Sequence, residues 1–196
     1  MQEHEALIKH VRERVTLTDD EAAQFSSPFK MARVRKRQFI IQPDFTPRFR
    51  NYVVGGSLRA YVVGEGGHDH TIAFAVEDWW ITDYKSYITQ QPATMFVVAL
   101  EDCVLLQIEF EQEAKLKAAH PKFETFFRIM AERTAASFQR RIINNLTLTA
   151  EERYDSFVER YPSIVQRVPQ YALASFLGMS TEFLSKIRNG KTKQKS

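Results

Sequence analysis

The sequence predicts an α+β fold in three parts: an N-terminal β jelly roll led by helices, one long helix, and a C-terminal helix-turn-helix. Three observations predict it. From about Phe29 to Phe110 the segments are short, rich in Val, Ile, Phe and Tyr, and punctuated by turn residues. From His120-Pro121 to about Leu146 there is no Gly and no further Pro, so nothing interrupts a helix. Gln170 to Ile187 reads as helix, tight turn, helix. The boundaries that follow are residues 1–118, 119–146 and 147–196.

At the start of the chain, Leu7, Ile8, Val11 and Val15 recur at helical spacing, which predicts a helix over 4–15. Thr18-Asp19-Asp20-Glu21 reads as a capping box opening a second short helix. The candidate strands are Gln38 to Gln42, Asn51 to Val54, Leu58 to Val63, Thr71 to Val76, Met95 to Leu100 and Val104 to Ile108. Gly55-Gly56 and Gly64-Glu65-Gly66-Gly67 turn the chain between them. Several short strands at this spacing suggest a sandwich or barrel such as a jelly roll. After Glu111 the pattern turns helical. In the long helix Phe123, Phe127, Met130, Thr134, Ser137 and Arg141 are spaced alternately four and three apart, as on a heptad seam. A helix of ~25 residues spans nearly 40 Å, which suits a dimer spine at Phe123, Phe127, Met130 and Thr134; a single core-packed helix is the other reading. Thr149-Ala150-Glu151-Glu152 is a second capping box, and Tyr161-Pro162 and Val168-Pro169 mark breaks.

An apolar fraction of 44% supplies a core, and the formal net charge is only +3. From Lys186 onward, however, Lys186, Arg188, Lys191, Lys193 and Lys195 meet no acid. A basic end suggests a polyanionic partner, against the plainer reading of a solvated tail. Cys103 is the single cysteine, so no intramolecular disulfide forms, as expected in a reducing cytoplasm. Within Cys103-Val104-Leu105-Leu106 it reads as a small buried hydrophobe. The polar, acidic N-terminus is unlike a signal peptide, and no run of ~18 apolar residues is present to span a membrane. A cytoplasmic protein without a membrane partner is expected.

With Gln170 as position one of a helix-turn-helix, Ala174 falls at position five, where crossing helices leave room only for a small side chain. Gly178 falls at position nine, where the turn needs positive φ. Leu173, Leu177, Met179, Leu184 and Ile187 face inward, and Ser180 caps the second helix. Such a second helix enters the major groove of double-stranded DNA. Its outward residues are Thr181, Glu182, Ser185 and Lys186, with Arg188 beyond. Lys donates to guanine, Glu accepts from cytosine, and Thr offers a hydroxyl or a methyl. Gln170 and Ser180 are better placed for phosphate. The plainer reading of Glu182 and Lys186 is an i,i+4 surface ion pair.

The chain resembles the Crp/Fnr superfamily, the cyclic AMP receptor protein type, and is particularly similar to its short members in Bacteroidetes. The residues that carry the resemblance are Glu77-Asp78-Trp79-Trp80-Ile81, Ala99-Leu100-Glu101-Asp102, Thr149-Ala150-Glu151-Glu152-Arg153-Tyr154 and Arg167-Val168-Pro169-Gln170-Tyr171. The resemblance covers nearly the whole chain and implies a cyclic-nucleotide-binding-like jelly roll. It also implies a homodimer on a pseudo-palindromic operator and an unknown small-molecule effector, and it admits RNA polymerase as a partner. Two departures stand out. Where cyclic-nucleotide binders carry Gly-Glu and then Arg followed by Ser or Thr, this chain has Thr82-Asp83 and Ala93-Thr94. Asp83 remains an acceptor for a ribose hydroxyl, but Ala93 cannot pair with a phosphate. Cyclic AMP is therefore not expected, and no cofactor is. Trp80 and Tyr84 join Thr82, Asp83, Ala93 and Thr94 as candidate pocket residues, as plain core or as the lining of an apolar pocket. Second, Asn189 to Lys195 is too short for the usual β-hairpin wing, and the basic tail is expected to serve as a flexible phosphate contact.

Two rival readings keep the jelly roll. His68-Asp69-His70 has the two-histidine spacing of a cupin-type metal enzyme. However, Glu77 lies far along the chain and the next histidine, His120, falls beyond the β-region, so a hairpin tip is preferred. A dimeric ligand-binding module with a vestigial DNA-binding part is the other. One cysteine cannot hold an iron–sulfur cluster, and nothing specifically argues for haem. No catalytic residue and no metal ligand are assigned.

Overall fold

The computed structural model describes residues 2–194. Helices α1 (Gln2–Arg12) and α2 (Asp19–Ser26) lead into eight strands. The Thr18–Glu21 box forms as expected: the Glu21 amide donates to Thr18 Oγ1 (3.2 Å) and the Thr18 amide to Glu21 Oε2 (2.8 Å). The strands are β1 (Lys30–Val34), β2 (Phe39–Ile41), β3 (Phe49–Gly55), β4 (Leu58–Val63), β5 (Asp69–Ala75), β6 (Trp80–Ile81), β7 (Phe96–Ala99) and β8 (Cys103–Glu109). They form two antiparallel sheets, ordered β1-β8-β3-β6 and β2-β7-β4-β5, the jelly-roll arrangement. Two strands escaped the sequence reading. β1 is an edge strand whose side chains are mostly exposed and include Lys30 and Arg33, a charged edge that discourages stray pairing and carries little hydrophobic signal. β6 is only two residues long.

Each face of the first sheet is covered. Val53, Ile81 and Leu105 point into the sandwich, while Tyr52, Leu106 and Ile108 meet the helices outside it. That outer layer is built from Leu7, Val11 and Phe25 of the N-terminal helices and from Phe123, Phe126 and Phe127. The last three belong to α5 (Pro121–Thr147), which follows α3 (Tyr84–Thr89) and α4 (Phe110–Ala119). Four C-terminal helices follow: α6 (Ala150–Arg160), α7 (Pro162–Arg167), α8 (Gln170–Leu177) and α9 (Thr181–Gln194). Thr149 and Glu152 cap α6 reciprocally. Pro162, read as a stop, opens α7 at its first position, where its missing N–H costs nothing.

The long helix corrects the seam. Phe123 is 0% and Phe127 2% exposed within a single chain, and Met130 packs against the same core. Phe25 stacks on Phe127 and meets Phe123 edge-on. These residues anchor the helix to its own sheet and are not free to join a second copy; Thr134 is exposed but lies on the same stripe. Farther along, Phe138, Ile142 and Leu146 are 43%, 60% and 80% exposed. With Ala131 and Ala135 they make a second stripe, one residue out of register with the first.

His10 is buried against Tyr52, Trp80 and Phe126, and the Trp80 indole donates to its Nε2 (3.3 Å). Burial, with the nearby Arg14 charge, lowers its pKa from 6.5 to about 4. Between those values the unfolded chain binds the proton that the folded one refuses. Stability is thus full above pH 6.5 and is lost as pH falls toward about 4. The loss should be on the order of 3 kcal/mol. Melting curves from pH 7 to 4.5 should fall more steeply for the native chain than for His10→Gln; parallel curves would remove His10 from this role.

Candidate nucleic-acid interface and effector groove

The helix-turn-helix is built as its residues require. Leu173, Ala174, Leu177, Leu184 and Ile187 are buried, together with Tyr154, Phe157 and Ile164 from α6 and α7. Gly178 ends α8 at φ 68°, and its neighbour Met179 donates to the Ala174 carbonyl (3.0 Å). The Ser180 hydroxyl accepts from the Phe183 amide (3.1 Å), the expected cap. Glu182 is exposed, and its own backbone N–H and the Ser180 hydroxyl hold its carboxyl below the usual range.

Lys186 is exposed, and among the described residues no carboxylate pairs with it, Glu182 included. Thr181 and Ser185 are half-buried, and Arg188 is exposed. Gln170 departs from its expected phosphate role. Its amide nitrogen donates to Ser185 Oγ and to the Thr181 carbonyl (3.4 Å), tying α8 to α9. Lys191 also departs from expectation: its amine lies 2.8 Å from Asp155 and 3.2 Å from Glu151, a surface pair rather than a phosphate contact. The backbone from Asn189 to Gln194 continues α9 as helix, so it is not a loose tail there. Lys195 lies outside the described residues.

Three polar junctions hold this unit to the jelly roll, and sequence reasoning named none of them. Strand β5 lies at the end of its sheet, so one row of its backbone groups needs partners. The Thr71 amide donates to Ser175 Oγ (2.8 Å), and that hydroxyl donates to the Asp69 carbonyl (2.7 Å). Arg141 of α5 donates to the Thr71 carbonyl (2.9 Å), to the Ile72 carbonyl and to the Phe176 carbonyl (3.2 Å). Its guanidinium lies 4.1 Å from the Phe176 ring centroid. Arg167 of α7 reaches both Glu77 (2.6 Å) and Glu101 (2.5 Å). Burial is the largest single influence on Glu77 and by itself would raise its pKa, but the hydrogen bonds from Arg167, its own backbone N–H and the Gly56 amide, with the Arg167 charge, together outweigh it and the net shift is downward. Glu77, Glu101 and Arg167 come from three of the four segments that carry the family resemblance. That shared signal was the one hint that they meet.

Between the jelly roll, α5 and the C-terminal helices runs a groove of about 1110 Å³. Of the six pocket candidates, Ala93 does not line it, being buried with its amide on the Phe45 carbonyl (3.0 Å). Asp83 is fully buried and caps α3. Its Oδ2 accepts from the Thr94 amide (2.7 Å), Thr94 Oγ1 and Ser86 Oγ (both 3.1 Å), and Oδ1 from the Ser86 amide (3.3 Å). This carboxylate is spent on its own loop, which corrects its role as a ribose acceptor. Thr82 Oγ1 donates to the Phe49 carbonyl (3.1 Å). Trp80 packs as core against Phe29, Tyr52 and Phe127, while Tyr84 stays 44% exposed. Cys103 is buried, and burial raises its thiol pKa to about 11. Among the described residues no three His, Cys, Asp or Glu side chains are grouped to hold a metal ion. Nor, among the described residues, is any helix long and apolar enough to cross a membrane.

No protein-family model matches the sequence, and no curated protein matches it. Solved structures do match. The chain is similar to FixK2 from Bradyrhizobium japonicum, with TM-score 0.76 and 15% identity over 85% of each chain. The c-di-GMP-responsive global regulator CLP of Xanthomonas campestris gives 0.72 and 13%, covering 90% of this chain and 93% of that one. A transcriptional regulator described as of the Crp/Fnr family, from Eubacterium rectale, gives 0.68 and 17%, covering 90% and 85%. The fold is therefore the Crp/Fnr-type regulator fold, jelly roll through helix-turn-helix.

Proposed function

We propose that the protein is a homodimeric, sequence-specific DNA-binding transcription regulator of the Crp/Fnr type and not an enzyme. Residues 1–118 act as the sensor, 119–146 as the dimer helix and 147–196 as the DNA-binding domain. The observation that carries the reading is α9, which presents Glu182 and Lys186 outward from a correctly built helix-turn-helix, with no carboxylate paired to Lys186 among the described residues. Thr181, Ser185 and Arg188 flank them on the same helix. The dimer face in this reading is the exposed stripe Ala131, Ala135, Phe138, Ile142 and Leu146. The cyclic-nucleotide cassette is degenerate: Ala93 supplies no cation, and the Asp83 carboxylate is fully buried on Ser86 and Thr94. A double-stranded pseudo-palindromic operator is the partner; the place of action is the cytoplasm.

Selection of bound sequences from random duplex DNA tests this. Lys186→Ala should lose about 1–3 kcal/mol at the selected site and relax base preference there, while leaving the dimer and its melting temperature unchanged. Unchanged affinity and preference would mean that α9 does not read bases. Failure to select any site would remove the DNA-binding reading.

A further inference from the structure

We propose that Phe183 is a specificity-determining residue: its ring packs against a thymine C5 methyl in the major groove and sets base preference beside Lys186. This rests on the reading of α9 as a helix that enters DNA, and it adds an apolar readout to the polar one. Single exposed hydrophobic side chains are common on protein surfaces, but this one stands among residues that reach base edges. Phe183 is 47% exposed and is the third residue of α9, in the N-terminal turn that meets the bases when such a helix enters the groove.

The local fold makes no use of the ring. Leu184 and Ile187 are the side chains that α9 gives to the core of the unit, Met179 packs against the same cluster, and Phe183 is not part of it. Met179 and Leu184 stand at the two positions that a hydrophobic staple joins across a helix start, so the apolar need of the cap is met without Phe183. Its backbone is held nonetheless. The Phe183 amide donates to Ser180 Oγ (3.1 Å), which fixes the first turn and so the direction in which the ring leaves the helix. At about 100° per residue, Leu184 and Ile187 facing inward put Glu182 and Lys186 on the outward side. Phe183 lies about 60° round from Lys186, three positions away and a surface neighbour. Gln170 of α8 bonds Ser185 and the Thr181 carbonyl on the other flank, so Phe183 occupies the flank that α8 leaves open. Gly190, two turns on along the same line, brings no side chain that would cover it.

A phenyl ring neither donates nor accepts, so it discriminates by what it excludes. Thymine shows the major groove a C5 methyl, and Phe is one of the side chains that make apolar contact with it. C5 is on the backbone side of the pyrimidine edge, so the methyl stands by the groove wall, where a residue on the flank of the helix reaches. Cytosine has only a hydrogen at that atom and an amino donor beside it, which the ring would strip of water without return. Glu182 and Lys186 thus meet polar edges, and Phe183 selects the thymine that flanks them.

The test uses the full-length protein and the operator selected from random duplex DNA, with each thymine in turn replaced by deoxyuridine. That exchange removes the C5 methyl and keeps every hydrogen-bonding group. One thymine in each half-site should lose about fourfold in affinity, the worth of one buried methyl. Phe183→Ala should bind the unmodified operator about tenfold more weakly and be indifferent to deoxyuridine at that place, whereas Phe183→Leu should keep most of the affinity and the sensitivity. 5-Methylcytosine at that place, with guanine opposite, should bind the native protein about fourfold better than cytosine does, and the alanine variant no better. Because the ring lies outside the core, both variants should keep the native melting temperature, which separates readout from folding. A native protein indifferent to every deoxyuridine, an operator with no preferred thymine in its half-site, or an alanine variant with native affinity or native methyl sensitivity would each overturn the proposal. A protein that selects no site refutes the DNA-binding reading and this inference with it; an operator that is selected but blind to methyls refutes the role of Phe183 alone.

Discussion

Phe138→Glu with Ile142→Glu should turn a dimer into a folded monomer that has lost its operator. Both side chains project from the C-terminal half of a 27-residue helix, 43% and 60% exposed in the single chain. Each full burial of such a side chain contributes about 1.5–3 kcal/mol, and in the proposed two-fold interface two copies of each would meet. Opposing glutamates add like-charge repulsion. Dimerisation should weaken at least about a thousandfold, or roughly 4 kcal/mol. Light scattering at micromolar concentration reads the mass, and circular dichroism shows whether helix content survives. Phe127→Asp is the contrast. That ring is 2% exposed among Phe25, Trp80 and Phe126, and truncation of a buried Phe alone costs about 3–5 kcal/mol. Its expected result is unfolding, not dissociation. A native-mass dimer from the double glutamate variant would exclude this stripe as the interface.

Arg141→Ala should detach the helix-turn-helix from the jelly roll. Arg141 is the side chain that touches β5, α8 and α5 together, and it donates to three carbonyls while stacking on Phe176. Charge-assisted hydrogen bonds of this kind are among the strong ones. Their removal takes the donor from the Thr71 and Ile72 carbonyls of the edge strand, and Ser175 does not replace it because its hydroxyl donates to the Asp69 carbonyl. We expect a loss of about 2–4 kcal/mol in denaturant unfolding, early proteolytic cleavage near Leu148, and weaker operator binding although no DNA-facing residue has changed. Arg141→Lys should rescue little, because an ammonium lacks the planar fork that spans separate carbonyls. Native stability and affinity in Arg141→Ala would show that Arg167 and Ser175 hold the junction without it.

Much of this architecture was legible in order along the chain. The capping boxes at Thr18 and Thr149, the helix from Pro121, and the turn at Gly178 are each decided by residues within a few positions of one another, so local pattern reveals them. The exposed stripe proposed as the dimer face was not legible for a physical reason. The long helix has two apolar faces, Phe123–Phe127–Met130 and Ala131–Ala135–Phe138–Ile142, offset by one residue, or about 100° around the axis. A repeat of 3.5 read along a helix of 3.6 runs one into the other, and only packing shows which is covered by the protein's own sheet.

By itself, then, the sequence determined the class of fold, the order of its parts and the helix that faces outward with Glu182 and Lys186. Tertiary structure decided how the side chains were paired. It tied Gln170 to Ser185, paired Lys191 with Asp155 at the surface, and brought Arg167 to carboxylates 66 and 90 residues away. Those outcomes depend on which faces close against each other, a competition among long-range contacts that hydrophobic periodicity and capping rules do not encode.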